Sequence, residues 1–251
     1  MRMYTDLAIW WPLISPPAHY GEEAADLLPL LDGGDGAAQT LLELGAGGGS
    51  LASHLKARFT LTLTDRSPNM LAISSQVNPD CEHILGDMMT LDLGREFDRV
   101  LVHDAIMYAT TPDDVRATLA TAARHCRPQG IVVVVPDHVR ETFEPGTELG
   151  GEDSDDGNGR GLRYMMWSWD PDPADSTFDV AYAFLLRDAD GHTIVEHDRH
   201  REGLFARHEW LAWFDEAGFD TRIHHDPWHR DVFIGVKRGV RRDIAGDTRA
   251  G

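Results

Sequence analysis

A glycine-rich segment with an acid just ahead of it is the stretch of this sequence best suited to bind a ligand. Glu43 precedes Gly45-Ala46-Gly47, and two more glycines follow. Glycine permits tight turns and a close approach of the backbone to a ligand, and free N–H groups at a helix start attract polar or anionic groups. Apolar residues at helical spacing begin at Leu51. The segment therefore predicts a nucleotide-like ligand between a buried strand and a helix.

An aspartate follows at the distance that a nucleotide-binding βαβ unit requires. Asp65 lies 20 residues after Gly45 and ends the short run 61–65. In such a unit this spacing places a carboxylate where it can hold the hydroxyls of a ribose. An aspartate in a surface loop is the alternative, and the glycine segment at the right distance favours the ribose role.

The elements that must position these residues are predicted from hydrophobic periodicity. In the first half, strands are predicted at 40–44, 61–65, 82–85, 97–103 and 131–135. Helices are predicted at 21–31, from the glycine segment to about 58, after the Ser67-Pro68 start, and at 113–126. The run 131–135 is β-branched throughout, which is typical of a central strand that is buried on both faces.

The second half of the chain shows a different pattern. Residues 144–161 are rich in glycine and aspartate and predict a loop. Three antiparallel strands are predicted after it, at about 162–169, 177–187 and 193–204. The chain then continues with a helix at 207–217, two strands at 219–225 and 231–237, and a charged tail at 239–251.

Composition excludes several classes of partner. The net charge of −19 repels phosphate backbones, so a nucleic-acid partner is not expected. Two cysteines without close spacing argue against a disulfide framework or zinc site and suit a reducing cytoplasm. The apolar run 7–14 contains Pro12 and lacks a clear cleavage site, which disfavours a signal peptide. No stretch reaches the ~20 apolar residues of a membrane span.

Over nearly its whole length the chain resembles a class I S-adenosylmethionine-dependent methyltransferase. Besides Glu43 and Asp65, Gly86-Asp87-Met88 follows the third strand, and Ser50 replaces the last Gly or Ala of a dinucleotide fingerprint. The subgroup that it resembles most is the sugar N,N-dimethyltransferases that act on nucleotide-linked deoxyaminosugars. The pieces that match this subgroup are Tyr4, Ala24-Ala25-Asp26-Leu27, His200-Arg201, Trp210 to Gly218, and Arg230 before Val232-Phe233-Ile234-Gly235.

The resemblance implies an α/β fold. A Rossmann-like, mostly parallel seven-stranded sheet carries a terminal antiparallel strand pair, and an antiparallel sheet is inserted after the fifth strand. One methyltransferase domain is expected over 1–251. Its parts are an N-terminal lid and helix (1–31), a cofactor-binding core (32–136), inserted strands on the acceptor side (137–205), a final helix and strand pair (206–238) and the tail (239–251). The aromatic-rich residues 1–20 also fit a segment that only packs on the core.

For the cofactor, the resemblance implies contacts at the strand ends. Glu43 is expected near the methionine ammonium and Asp65 at the ribose. Arg66 is expected beside the adenine, and His103 next to the reacting methyl group. The full set implied for the cofactor is Glu43, Gly45, Ala46, Gly47, Asp65, Arg66, Met70, Asp87, Met88 and His103.

Acceptor residues are implied by position in the same subgroup. Tyr4, Tyr108 and His200 are the expected catalytic residues, since a tyrosine or histidine can take a proton. The residues expected to bind the acceptor are Trp11, Tyr164, Trp167 and Arg230. Arg230 would hold a carboxylate or phosphate, although positions 165, 167 and 169 on one sheet face are also typical of a core. The subgroup's histidine after strand four falls on Tyr108, and its double tryptophan is replaced by Asp137-His138.

The expected function is methyl transfer from S-adenosylmethionine to a nitrogen or oxygen of a small molecule, a secondary metabolite or sugar, by direct in-line displacement. No metal is expected, because neighbours His224 and His225 on a strand point to opposite faces. A nicotinamide-dependent oxidoreductase and a cofactor-binding domain without catalysis remain as alternatives. A small-molecule acceptor, no nucleic-acid or membrane partner and a cytoplasmic location are expected. The assembly state stays open, with a homodimer as one option.

Overall fold

A computed structural model describes residues 1–33, 36–155 and 157–239 of the chain. Apart from Gly239, the predicted tail at 239–251 lies outside the described residues. The helices are α1 (Trp11–Ile14), α2 (Gly21–Asp32), α3 (Ala52–Leu55), α4 (Pro68–Val77), α5 (Pro112–His125) and α6 (Arg207–Glu216). The strands are β1 (Thr40–Leu44), β2 (Thr60–Asp65), β3 (Glu82–Leu85), β4 (Phe97–His103), β5 (Cys126–Val135), β6 (Gly146–Gly150), β7 (Gly161–Trp169), β8 (Thr177–Arg187), β9 (Thr193–Gly203), β10 (Phe219–His225) and β11 (Asp231–Lys237).

The larger of the two sheets has seven strands in the order β10-β11-β5-β4-β1-β2-β3. β1 pairs in parallel with both β2 and β4, while β11 runs antiparallel to β5 and β10. The predicted fold class, with its terminal antiparallel pair, is confirmed. Strand order reverses between β1 and β4, and ligands of open α/β sheets bind in the crevice beyond the carboxyl ends at such a point.

Both faces of this sheet are buried, as the β-branched run in β5 predicts. Val132 and Val134 face one apolar cluster with Leu42, while Val133 faces the opposite cluster with Leu41. This alternation follows from the period of two in a strand. Helices cover each face, so the strand ends remain as the place where polar groups can gather without disrupting the core.

The smaller sheet has four strands in the order β6-β7-β8-β9, all antiparallel. The three strands predicted here are confirmed, but the loop predicted over 144–161 is partly wrong, because β6 lies within it. β6 begins and ends with glycine and is an exposed edge strand. Its backbone pairs with β7 while its side chains bury little area, so no periodic pattern marks it.

Two further boundaries differ from expectation. The helix after the glycine segment is short, because α3 ends at Leu55 and turns follow to Phe59. β5 begins five residues earlier than predicted, at Cys126, and its register against β4 shifts opposite Phe97. Gln129 adopts a positive φ of 64° at this irregularity, so Pro128-Gln129-Gly130 continues the strand as a distorted segment rather than a loop.

The N-terminal residues 1–20 lie across the carboxyl ends of the large sheet and reach the small one. The backbone N–H of Met3 donates to the Asp198 carboxylate of β9 at 2.8 Å. The Ser50 hydroxyl, after the glycine segment, donates to the carbonyl of Ser15 at 2.6 Å. These contacts bridge the two sheets over the crevice. Within the described ranges, no helix has the length and apolar character of a membrane span.

Candidate functional site

A cavity of about 1050 Å³ opens at the carboxyl ends of β1, β2 and β4. The strand ends and the glycine segment form its floor. β7, β8 and the end of β9 form another wall, and residues from 1–20 cover it. Concave sites of this size, with polar groups converging from several elements, are typical of small-molecule binding.

The glycine segment turns tightly at the floor of this cavity. Gly45 has a φ of 76°, and a Cβ at this position would lie 2.3 Å from Cβ of Ala105. A Cβ at Gly48 would lie 2.3 Å from the Trp11 ring. Both positions therefore require glycine, and the backbone of the segment is free to approach a ligand.

Glu43 presents a carboxylate oxygen without a partner to this cavity. The residue is 3% exposed, and its Oε2 has no hydrogen bond within the described part of the chain. Burial raises the pKa of Glu43 to about 7. A buried acceptor of this kind is costly unless a donor or cation meets it, so an ammonium group fits the position.

Asp65 ends β2 and is fixed by backbone donors. Its Oδ2 accepts from the N–H of Gly47 at 2.9 Å, and its Oδ1 accepts from Ser67 at 2.7 Å. Burial raises the pKa of Asp65, although these N–H groups oppose the change. Each carboxylate oxygen keeps a further lone pair for a hydroxyl group at the cavity.

The remaining residues expected at the cofactor divide into two groups. Arg66, Asp87, Met88 and His103 line the cavity, as expected of side chains at the ends of strands. Met70 does not line it. Met70 is 1% exposed and packs behind the segment, where a Cβ at Gly47 would lie 3.7 Å from its terminal carbon. A contact between Met70 and a ligand is therefore not supported by its position.

Tyr4, Tyr108 and His200 form one hydrogen-bonded chain. His200 Nε2 lies 3.0 Å from the Asp198 carboxylate, and its Nδ1 lies 3.0 Å from the Tyr108 hydroxyl. Burial lowers the pKa of His200 despite Asp198, so the ring is neutral, donates to Asp198 and accepts from Tyr108. Tyr108 then accepts from Tyr4 at 2.6 Å.

Of the three side chains in this hydrogen-bonded chain, only the two tyrosines reach the cavity. Tyr4 and Tyr108 line the cavity, whereas His200 is 1% exposed and lies behind Tyr108. Burial raises the pKa of both tyrosines, so both keep their protons at neutral pH. The structure thus brings the three expected residues together, but His200 bonds Tyr108 from behind and does not itself line the cavity.

Arg230 is already engaged by acids. Its Nε donates to Asp226 at 2.7 Å, and another guanidinium nitrogen donates to Glu23. Although burial raises it, the pKa of Glu23 falls to about 2 because His103 and Arg230 both bond its carboxylate. Arg230 lines the cavity with its charge largely offset, which weakens the expected role of a free anion-binding fork.

The aromatic residues expected at the acceptor are separated by strand geometry. Tyr164 lines the cavity, while Trp167 is 53% exposed on the opposite face of β7 and stacks near Trp169. The difference of three positions puts the two on opposite faces, so a substrate contact for Trp167 is not supported by its position. Trp11 lines the cavity over Gly48, and its indole nitrogen has no partner among the described residues.

Three acids of the site were not predicted from the sequence. Glu23 lies on α2, and Asp104 and Glu202 come from elements far apart in the chain. Asp104 has a positive φ of 48°, a conformation that is uncommon for residues other than glycine and often found at functional sites. Only Glu202 had a usable signal, because it is two residues from His200 and so shares its face of β9.

The histidine cluster at the end of the chain is dispersed by the strand pair. His224 contacts Asp26 at 3.1 Å, whereas His225 contacts Asp231 at 2.8 Å. Across the residues that the structure describes, no group of three or more His, Cys, Asp or Glu side chains is arranged to hold a metal ion.

Comparison with known proteins shows that the chain is similar to methyltransferases. The family described as "Methyltransferase domain" matches residues 41–130. A curated relative, the dTDP-3-amino-3,6-dideoxy-alpha-D-glucopyranose N,N-dimethyltransferase of Streptomyces fradiae, is 30% identical over 220 residues, which cover 86% of this chain and 84% of the relative.

Solved structures of methyltransferases also resemble this chain. DesVI from Streptomyces venezuelae superposes with a TM-score of 0.78 at 26% identity, covering 89% of this chain and 94% of the other. CalS10, an amino pentose methyltransferase from Micromonospora echinaspora solved with bound S-adenosylmethionine, has a TM-score of 0.74 at 26% identity and covers 87% and 91%. These matches give no support to the nicotinamide-dependent alternative.

Proposed function

This chain belongs to the S-adenosylmethionine-dependent methyltransferases, and we propose that it methylates the amino nitrogen of a nucleotide-linked deoxyaminosugar. The names of its relatives support two successive transfers to one nitrogen. The enzyme uses S-adenosylmethionine and releases S-adenosylhomocysteine. When bound, S-adenosylmethionine supplies an electrophilic methyl group on a sulfonium sulfur. What this chain must do is hold that donor, align the acceptor nitrogen behind the methyl group and exclude water.

For the donor, we assign the cavity floor. Glu43 would meet the methionine ammonium with its unpartnered oxygen, and Gly45, Ala46 and Gly47 would approach the methionine part with their backbone. Asp65 would hold the ribose hydroxyls, and Arg66 would flank the adenine. Asp87 and Met88 would contact the adenine edge and face, and His103, fixed by Glu23, would border the reacting centre.

The acids in the part of the cavity that we assign to the acceptor, the acceptor half, favour a nitrogen over an oxygen as the methylated atom. Asp104, Asp137 and Glu202 line this part of the cavity. Their surroundings raise the pKa of all three, chiefly through burial, and Arg230 is largely neutralised by Glu23 and Asp226. A surface with surplus carboxyl groups attracts a cationic amine more strongly than a neutral hydroxyl. We therefore assign an aminosugar as the acceptor.

Residues 1–20 would serve as a lid over both ligands. Tyr4 lies over the cavity, and its carbonyl accepts from the Ser67 hydroxyl at 2.6 Å. The same segment bonds β9 through Met3 and the glycine segment through Ser15. Such a cover would keep water from the sulfonium and hold Tyr4 and Tyr108 against the acceptor.

The test is direct methylation of a defined acceptor. The purified protein is incubated with S-adenosylmethionine and dTDP-3-amino-3,6-dideoxy-alpha-D-glucopyranose, and products are identified by mass spectrometry. We expect the mono- and then the dimethylated sugar. The matched control carries a hydroxyl at C3 and should not be methylated. Methylation of the hydroxyl sugar but not of the aminosugar would reject the proposed acceptor.

A further inference from the structure

Glu202 is a buried acid that the assignments above use only as part of a charged surface. It precedes the last residue of β9, is 7% exposed, and lines the cavity. Within residues 1–33, 36–155 and 157–239, no hydrogen bond and no Lys or Arg reaches its carboxyl group. His200 Nδ1 lies 3.9 Å from Oε1 and already accepts from Tyr108. An enclosed carboxyl group without compensation either holds a proton or meets a cationic ligand.

The backbone places Glu202 beside the reacting end of the large sheet. A Cβ at Gly203 would lie 2.3 Å from the carbonyl oxygen of Ala109, so β9 packs directly on the loop that follows β4. His103, the last residue of β4, is expected to border the reacting methyl group. Glu202 shares a face of β9 with His200, whose partner Tyr108 lines the same cavity. The acid therefore stands on the acceptor side, close to the reacting centre.

We propose that Glu202 is the base of the reaction: its carboxylate binds the ammonium of the acceptor sugar and takes one proton from it before each transfer. The N–H bond breaks, an O–H bond forms on Glu202, and the nitrogen keeps the electron pair. That lone pair forms the new C–N bond as the C–S bond breaks, and the sulfur keeps the pair of the broken bond. The proton on Glu202 passes to water between transfers. This inference rests on the proposed function.

The surroundings of Glu202 suit this task. Burial, and then the charge of Asp137 after β5, raise the pKa of Glu202 to about 8, near the range of a sugar ammonium. A base and an acid of similar pKa exchange a proton at little cost. The titratable groups that interact with Glu202 from neighbouring elements are Asp104, Asp137, Tyr4, Tyr108 and Tyr182, with His200 on its own strand.

Glu202→Gln removes the base and keeps the size of the side chain. In the wild-type enzyme, kcat/KM for the dTDP-aminosugar should rise with pH to a plateau above about pH 8. At neutral pH the variant should lose about 10²-fold in kcat/KM, and the pH dependence that remains should follow the sugar ammonium alone. Its calorimetric affinity for S-adenosylhomocysteine should stay within about twofold. Glu144→Gln is the matched control, because Glu144 is an exposed glutamate outside the cavity, and it should keep the wild-type profile.

A binding measurement separates proton transfer from general damage. The complex with S-adenosylhomocysteine is titrated with the dTDP-aminosugar and with its C3-hydroxyl analogue. The wild type should prefer the amine by about tenfold, and Glu202→Gln should lose most of that preference. If Glu202→Gln fails to fold, Glu202→Asp serves instead and should keep the pH dependence at a lower kcat.

The outcomes distinguish this inference from the proposed function. An active wild type whose Glu202→Gln variant keeps the rate, the pH dependence and the preference for the amine would overturn the role of Glu202 alone. If Glu202→Asp is used because Glu202→Gln does not fold, an unchanged kcat together with loss of the pH dependence would likewise overturn the role of Glu202. A folded wild type that methylates no aminosugar overturns the proposed function, and the role of Glu202 with it.

Discussion

The two halves of the cavity are built in different ways. The half assigned to the cofactor comes largely from one stretch, 43–66, in which strand ends and a glycine segment supply backbone groups and the acids Glu43 and Asp65. The acceptor half takes side chains from residues as distant in sequence as Tyr4, Tyr108, Glu202 and Arg230. The first half follows from local sequence, while the second forms only when four separate segments meet.

Asp65 and Glu202 show how differently the two halves can hold an acid, although Glu43 in the cofactor half is also a buried acid with an unpartnered oxygen. Asp65 accepts from two backbone N–H groups, so its geometry is fixed before a ligand arrives. Asp104 and Glu202 have pKa values raised to about 7 and about 8, chiefly by burial. A preorganised half is suited to hold a constant cofactor. A buried acid that no Lys or Arg among the described residues reaches, such as Glu202, is suited to receive a cationic ligand and exchange a proton.

The largest effect should come from Gly45→Ala. Its positive φ and the 2.3 Å approach to Ala105 leave no room for a methyl group. We expect a loss of about 3 kcal/mol in the free energy of unfolding, from strain and overpacking. Chemical denaturation measures it, with Gly36→Ala as control because that site has a positive φ but open space. Equal losses in both variants would show that the close contact does not matter.

Asp65→Ala should weaken the cofactor half alone. We expect the affinity for S-adenosylhomocysteine to fall about 30-fold, since hydrogen bonds to a charged group contribute about 1.5–3 kcal/mol. Asp65→Asn keeps one acceptor oxygen and should lose less. Isothermal titration calorimetry measures both variants. Wild-type affinity in Asp65→Ala would remove the ribose role of this residue.

Tyr108→Phe should affect the acceptor half alone and more weakly. The change breaks the bonds to Tyr4 and His200 without altering the shape of the ring. A lost hydrogen bond of about 1 kcal/mol predicts a fivefold reduction in kcat/KM for the aminosugar, with unchanged S-adenosylhomocysteine affinity. Steady-state kinetics and calorimetry on the same preparation test this. A parallel loss of cofactor affinity would mean that the two halves are coupled.

The smallest effect should come from Trp167→Ala. This side chain is exposed on the face of β7 that is turned away from the cavity. We expect kcat/KM to remain within about twofold of wild type, whereas Tyr164→Ala, on the cavity face, should raise KM for the acceptor. Kinetics with varied acceptor concentration compares them. A larger loss for Trp167→Ala than for Tyr164→Ala would reverse the assignment of faces.

Much of the fold could be predicted because it depends on local periodicity. The β-branched run 131–135 and the alternating strands β7 to β9 carry patterns that survive in any context. β6 could not be predicted, since an exposed edge strand is defined by the partner that its backbone bonds. Trp167 was predicted to bind the acceptor, but the residue pattern identifies a strand without showing which of its faces turns toward the cavity.

The sequence by itself determined the glycine turn, with Glu43 before it and Asp65 after it. It also determined the alternation of strands and helices that brings these residues to one edge of the sheet. These features depend on residues close together in the chain, where spacing fixes geometry. Only the tertiary structure decided that Arg230 is engaged by Glu23 and that His200 bonds Tyr108. It also decided that Glu202 is enclosed where no Lys or Arg of the described residues reaches it. Such facts depend on burial and on charges from distant elements, which act through space and leave no periodic mark in the sequence.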